Sequence, residues 1–500
     1  MLSIFSVKII VKRNAGGTNL DSHLPSQQQV LTSRQAMDMA VQHFHGGRLS
    51  DAENICLRIL EAAPDQPAAL HLLGVMAHQS SELEGAVEFI LRALAAKPNN
   101  AQAYGSLGNV YQDLGRFDKA VASFREAISR MPNLAEAHNN LGNALRQLGK
   151  LDDAAASIRN ALAIDPNIAQ AHHNLGNVLR DLGRPEAAIS SFHQAVALQL
   201  EFAEAYSGLG NAYQDLGQGD AAVASFQTAL SIRPDFAEAH SNLGFALKEL
   251  GRIDEAFASH RRAASLEPQN NSFWFGLAQS LETKSFTSVD DGLWQQLLKL
   301  LERPAVRPAA VVRSIIGALR HHPEFSRMLK LILPGAAEGE IADGGLVDRL
   351  PANPLLLRLM ALSPIDDLEI EQVFTCLRRA ILTEAMAGRA DAKNLPFAAA
   401  MALHCFVNEY VFPESAQESA MVEQLQERIA TILKEKQEVT PSLIVALGAY
   451  RPLHSFPWAR DLGEMVWTGC FSEVVERQIL EPREEFSLRP QIDRLTGIAD

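Results

Sequence analysis

Between residues 33 and 270 the apolar positions fall on a helical period, and the whole pattern returns every 34 residues. One copy, "AEAHNNLGNALRQLGKLDDAAASIRNALAIDPNI", runs from Ala135 to Ile168. Leu-Gly recurs at Leu73-Gly74, Leu107-Gly108, Leu141-Gly142, Leu175-Gly176, Leu209-Gly210 and Leu243-Gly244. Proline keeps the interval at Pro64, Pro98, Pro132, Pro166, Pro234 and Pro268, with Leu200 filling the missing place. Alanine keeps it from Ala52 to Ala256. Six coincident pairs at one interval mark a repeat architecture.

Each copy predicts two helices. In the quoted one the first spans Ala135 to Leu148 and stops at Gly149, which tolerates a left-handed turn. Asp152 is expected to cap the second helix. That helix places Ala154, Ile158 and Ala161 on one face, at spacings of four and three. Pro166 follows its end, because proline cannot continue a helix. Gly142 lies inside the first helix, where it costs about 1 kcal/mol relative to alanine. Repetition of that cost predicts a partner helix crossing there, with no room for a Cβ.

The 34-residue period, with Tyr or His at 104, 138, 172, 206 and 240, then Leu-Gly, the small Ala and the closing Pro, resembles the tetratricopeptide repeat. Seven copies fit from Ser33 to Asn270; an eighth starts at Trp274 and Leu277 and loses register after Leu281. Copies such as "AHNNLGNALRQLGKLDDA" are most similar to the repeats of O-linked N-acetylglucosamine transferases and their bacterial relatives. One hairpin cannot bury its apolar face alone, so neighbours must stack. The resemblance implies a right-handed superhelix with the first helices on the concave side.

At 100° per residue, Glu136, Asn140, Asn143 and Gln147 share one polar arc of the first helix, opposite His138, Leu141, Gly142 and Leu145. Aligned copies give one row of Asn109, Asn143, Asn177 and Asn211. A second holds Asn140, Asn174 and Asn242, broken by Ser106 and Gly208. Asn is a mediocre helix former, so stability alone does not select it here. Its amide donates and accepts, so it can pair with any peptide main chain. The rows resemble the asparagine ladder of the O-linked N-acetylglucosamine transferase repeats, which implies grip on an extended segment. Duplication alone would also leave these Asn in place. The candidate groove residues are therefore Asn109, Asn140, Asn143, Asn174, Asn177, Asn211, Asn242, Gln147, Asp181 and Asp215. Margin acids (Asp113, Glu136, Asp181, Glu204, Asp215, Glu238, Glu249) favour a neutral or basic protein or peptide partner, although Arg146, Arg180 and Lys248 lie nearby. A carboxylate clamp would need bases where Gly105, Asn139, His173, Ser207 and Ser241 stand. His138, His172 and His240 are one repeat apart rather than one turn apart, and Tyr104 and Tyr206 share their position. They read as packing rings, and no metal site is expected.

From Glu282 the period is gone. "SFTSVDDGLWQQLLKLLERP", "PAAVVRSIIGALRHH", "LEIEQVFTCLRRAILTEAM", "LPFAAAMALHCFVNEYVF", "ESAMVEQLQERIATILKEK" and "TPSLIVALGAY" predict helices punctuated by proline, with "PGAAEGEIADGG" as a loop. The segment carries no phosphate loop, dinucleotide fingerprint, G-x-S-x-G or H-E-x-x-H. Asp366-Asp367 reads as helix capping. His404 and Cys405 point about 100° apart on a helix, which argues against a catalytic pair. "HCFVNEYVF" (404–412), "LIVALGAYRPLHSF" (443–456) and "ILEPREEFSLRPQIDRLTGIAD" (479–500) resemble the helical segment that precedes the catalytic domain in bacterial tetratricopeptide S-adenosylmethionine-dependent methyltransferases. No glycine-rich cofactor loop occurs, so no catalytic residue carries over.

Composition narrows this picture. The 500 residues are 47% hydrophobic but only 6% aromatic, which suits closely packed Ala- and Leu-rich helices. A formal charge of −14 argues against bulk nucleic-acid affinity. Four scattered cysteines show no C-x-x-C pair and fit a reducing compartment. "MLSIFSVKIIVKRNAGG" places its basic residues after the apolar run, the reverse of a secretory signal. No 18-residue apolar run suggests a membrane span. The expectation is an all-α chain: a flexible leader (1–32), a tetratricopeptide solenoid (33–282) and an irregular helical domain (283–500). It should be cytoplasmic and non-catalytic, without cofactor or metal, acting as a scaffold. The alternative is the recruiting arm of a transferase, methyl more than N-acetylglucosaminyl.

Overall fold

The computed structural model describes residues 9–11, 29–304, 306–332, 353–389 and 392–484. The predicted loop 334–345 lies outside them, as do most of the leader and residues 485–500. Two compact units divide the chain, residues 1–242 and 243–500.

In the first unit a short antiparallel ribbon, β1 (Ile9–Val11) with β2 (Gln29–Leu31), precedes a run of helical hairpins. These are α1 (Ser33–His45) with α2 (Leu49–Ala62), α3 (Pro67–Gln79) with α4 (Leu83–Ala96), and α5 (Ala101–Asp113) with α6 (Phe117–Arg130). The run continues with α7 (Ala135–Gln147) and α8 (Leu151–Ile164), α9 (Ala169–Asp181) and α10 (Pro185–Leu198), and α11 (Ala203–Asp215) and α12 (Gly219–Ile232). The turn glycines Gly115, Gly149, Gly183 and Gly217 all take φ near +70°, the left-handed conformation glycine adopts without strain. Ala154, Ile158 and Ala161 are fully buried, as their spacing predicts. One apolar cluster runs from Ala86 to Ala212 across the middle hairpins, and a second, Ala36 to Met76, joins the first hairpin to α3, so these hairpins share their cores with neighbours.

The glycine inside each first helix marks a helix crossing. A Cβ on Gly142 would stand 2.9 Å from the Ala154 carbonyl oxygen and overlap Ile158. On Gly108 and Gly210 it would come within 2.5 Å of Phe124 and Phe226. Phe192 fills the space of two missing Cβ atoms, at Gly176 and Gly208.

The expected cap is corrected. The second helix of the quoted copy begins at Leu151, with Lys150 as N-cap and no side-chain cap bond. Asp152 sits two residues past the N-cap, too far inside to cap. It lies in the first turn, where its charge meets the positive end of the helix dipole.

The division between the units falls within α13 (Ala237–Glu249). The second unit holds α14 (Ile253–Leu266), α15 (Asn271–Leu281), α16 (Asp291–Leu301), α17 (Pro308–Leu319), α18 (Pro323–Ile332) and α19 (Pro354–Leu362). Then come α20 (Leu368–Met386), α21 (Leu395–Val407), α22 (Ala416–Lys434), α23 (Pro441–Gly448), α24 (Ala459–Gly463) and α25 (Cys470–Val475). Prolines open α17, α19 and α23, where the absent N–H has no helical partner to lose. Asp290 caps α16 and Asp367 caps α20.

Candidate partner-binding site

The polar face is set by how the first helices meet. Each brings Cα atoms to within 8 Å of the next, α5 to α7, α7 to α9 and α9 to α11; no successive second helices approach as extensively. The first helices therefore line the inner side of the stack, the side the polar arc occupies. Glu136 and Gln147 are exposed, and Asn109, Asn140, Asn143, Asn174, Asn177, Asn211 and Asn242 are half-buried.

The two asparagine rows are joined to each other. Asn140 Nδ2 donates to Asn109 Oδ1 and Asn242 Nδ2 to Asn211 Oδ1, both at 3.0 Å. A longer relay runs through neighbouring helices: Gln170 donates to Asn174, Asn174 to Asn139, and Asn139 to Asn140, each at 3.0 Å. Asn139 is buried, and the sequence marks its part in this relay only by its adjacency to Asn140. Where Gly208 removes the next asparagine, Asn177 Nδ2 turns to His173 Nε2 at 2.9 Å. His173 rests against Phe202 and Phe192, with centroids 5.1 and 5.6 Å away. Burial pulls its pKa down to about 4, aided by Arg146 and opposed by Glu204.

Three of the seven margin acids are paired with arginines, and a fourth meets a histidine. Asp181 pairs with Arg146 at 2.6 Å, Asp215 with Arg180 at 3.3 Å, Asp113 with His78 at 2.6 Å, and Glu204 with Arg233 at 2.7 Å. The first three pairs step 35 residues forward, tying each first helix to the next. The ring positions close each loop. His138, His172 and His240 donate from Nε2 to the carbonyls of Pro132, Pro166 and Pro234 at 2.9–3.0 Å. Where the ring is Tyr104, Arg130 supplies the donor to Pro98 at 2.8 Å and lies over the phenol.

Family models described as tetratricopeptide repeat match residues 38–101, 106–167, 89–122, 158–190 and 237–270, and one described as TPR repeat matches 176–217 and 215–251. Residues 38–270 are tetratricopeptide repeats. No curated protein matches the chain. Among solved structures, MamA is similar at 28% identity over 34% of this chain and 94% of that one, with a TM-score of 0.30. PilW, a type IV pilus biogenesis factor, is similar at 25% over 42% and 98%, with a TM-score of 0.40. PilF of Pseudomonas aeruginosa is similar at 19% over 43% and 97%, with a TM-score of 0.38.

Outside the repeats the second unit shows a buried polar network. Burial alone would raise the Glu418 carboxyl, but donors from Ser415, Arg379 and Tyr450 outweigh it and hold it below the usual range. Gln478 donates to the Ala402 carbonyl at 2.8 Å, and Arg378 to that of Pro413 at 2.7 Å. Burial pushes the Cys405 thiol up to about 12 and pulls the His404 ring down to about 4. That is opposite to the thiolate–imidazolium pair a nucleophile needs. An open cleft of about 580 Å³ is lined by Arg320, His321, Pro323, Ser326, Arg327 and Lys330, and Arg320 is already held by Asp367 and Glu369. Among the described residues no group of His, Cys, Asp or Glu could hold a metal ion, and no helix is long and apolar enough to cross a membrane.

Proposed function

We propose that this chain is a protein-interaction scaffold whose tetratricopeptide groove holds an extended, uncharged segment of a partner protein through its main chain. The observation that carries this is the row Asn109, Asn143, Asn177 and Asn211. One half-buried amide per first helix from α5 to α11 stands on the inner side of the stack, beside the paired acids Asp181 and Asp215. An amide row reads a backbone rather than particular side chains. The pairing of Asp181 and Asp215 moves the preferred partner from basic toward neutral. The test is an affinity pull-down from the native host with the full chain and with Asn109→Ala/Asn143→Ala/Asn211→Ala, matched for circular dichroism. Loss of the same proteins in the variant supports the groove, and unchanged recovery removes it. A second reading, the recruiting arm of a methyltransferase, rests on the resemblance at 404–412 and 443–456. A methyltransferase domain encoded downstream or by the adjoining gene would favour it.

A further inference from the structure

The hydrogen bonds among the asparagines decide which of their groups a ligand can reach. Asn109 and Asn211 each have the carbonyl oxygen turned to a neighbouring helix, accepting from Asn140 and Asn242. Their N–H bonds have no partner among the described residues. Asn143 has no side-chain partner there, and Asn177 has one N–H held by His173. Each first helix from α5 to α11 thus presents an amide donor, while the oxygens of Asn109 and Asn211 are each already engaged by a neighbouring amide.

Spacing then selects the conformation of what is held. Helices packed this closely have axes about 8–10 Å apart. A β-strand shows equivalent carbonyls every two residues, about 6.7 Å, or every four, about 13 Å. A polyproline-II chain shows them every three residues, about 9.3 Å, and leaves all its carbonyls unbonded. We infer that the groove takes a proline-rich segment in polyproline-II conformation, one main-chain carbonyl per repeat. Proline lacks an N–H, which is no loss along a row that offers a donor from every first helix between α5 and α11. Charge agrees: with Arg146–Asp181 and Arg180–Asp215 paired, the positive ends of N–H dipoles face an uncharged, acceptor-only ligand. This inference rests on the groove reading above.

The test uses the full chain and three capped, uncharged peptides of about twelve residues, four repeats at about three residues each. They are oligoproline, Gly-Ser and Thr-Gln, titrated by calorimetry. Oligoproline should bind at least about tenfold tighter than the others. Asn143→Asp and Asn211→Asp keep the shape but remove the N–H donors, and each should weaken it about three- to tenfold. Asn160→Ala, exposed on the outer helix α8, should leave it unchanged. Equal affinity for the three peptides, no binding of oligoproline, or indifference to Asn143→Asp overturns the inference. If oligoproline fails while the triple Ala variant still loses its cellular partner, the conformation is wrong and the groove reading stands. If the triple variant keeps that partner, the groove reading itself falls.

Discussion

Gly142 and Gly105 both lie inside first helices, yet alanine should act on them oppositely. A Cβ at Gly142 meets the Ala154 carbonyl at 2.9 Å, a backbone atom that cannot swing aside. Overpacking of about 1–3 kcal/mol outweighs the helix-propensity gain of about 1 kcal/mol. Gly142→Ala should lower the urea midpoint. A Cβ at Gly105 meets nothing within 4 Å, so Gly105→Ala should raise the midpoint, with a gain in unfolding free energy of about 0.5–1 kcal/mol. The repeat made Gly142 legible; no local pattern distinguished Gly105. Burial of His173 and His404 is likewise invisible in sequence, and it gives a pH dependence. Both have folded pKa values near 4, below the ordinary 6.5. Between those values the unfolded chain binds protons that the native chain refuses. Their contribution is therefore whole above pH 6.5 and is lost as pH falls toward 4, by up to about 1.4 kcal/mol per pH unit for each ring. His404 packs beside Phe374 and Phe412; His404→Phe should flatten urea midpoints measured across that window.

At the scale of elements, the loops between hairpins follow one geometry even where the sequence departs from it. Gln199, before Leu200, has φ −137° and ψ 98°, against −137° and 104° for Asp165 before Pro166 and −130° and 91° for Arg233 before Pro234. That extended backbone is what a residue before proline requires. Leu200 is 74% exposed, so little packing is lost by replacing it. Leu200→Pro should raise thermal stability by about 0.4–1 kcal/mol, chiefly by restricting the unfolded chain. The ring latch is a second such device. His138→Phe keeps the ring but loses the donor to Pro132, and should cost about 1 kcal/mol in the same melts. Helix positions in the repeats and in much of the second unit were readable from period, glycine and proline. The cap at Asp152 was not, because the start of the second helix is set by the tight turn after Gly149 rather than by a side chain.

At the scale of the whole molecule, the acids along the repeat margins favoured a neutral or basic partner, but charge counted along a chain ignores pairing. Among those acids, Asp181, Asp215 and Glu204 answer Arg146, Arg180 and Arg233. Binding of an uncharged segment should change less than about twofold between 50 and 500 mM salt, read by the same titrations, because a ligand without charge leaves screening little to act on. The sequence by itself determined that the repeats exist, their length, their all-helical character and the face on which the asparagines stand. Those properties depend on residues a few positions apart, and a period records them directly. Only the tertiary structure decided which amide donates to which, which acids are neutralised, and which histidines are held neutral. Each of these depends on residues about one repeat apart meeting across a helix interface, where a shift of one ångström makes or breaks a hydrogen bond and no spacing in the sequence records the outcome.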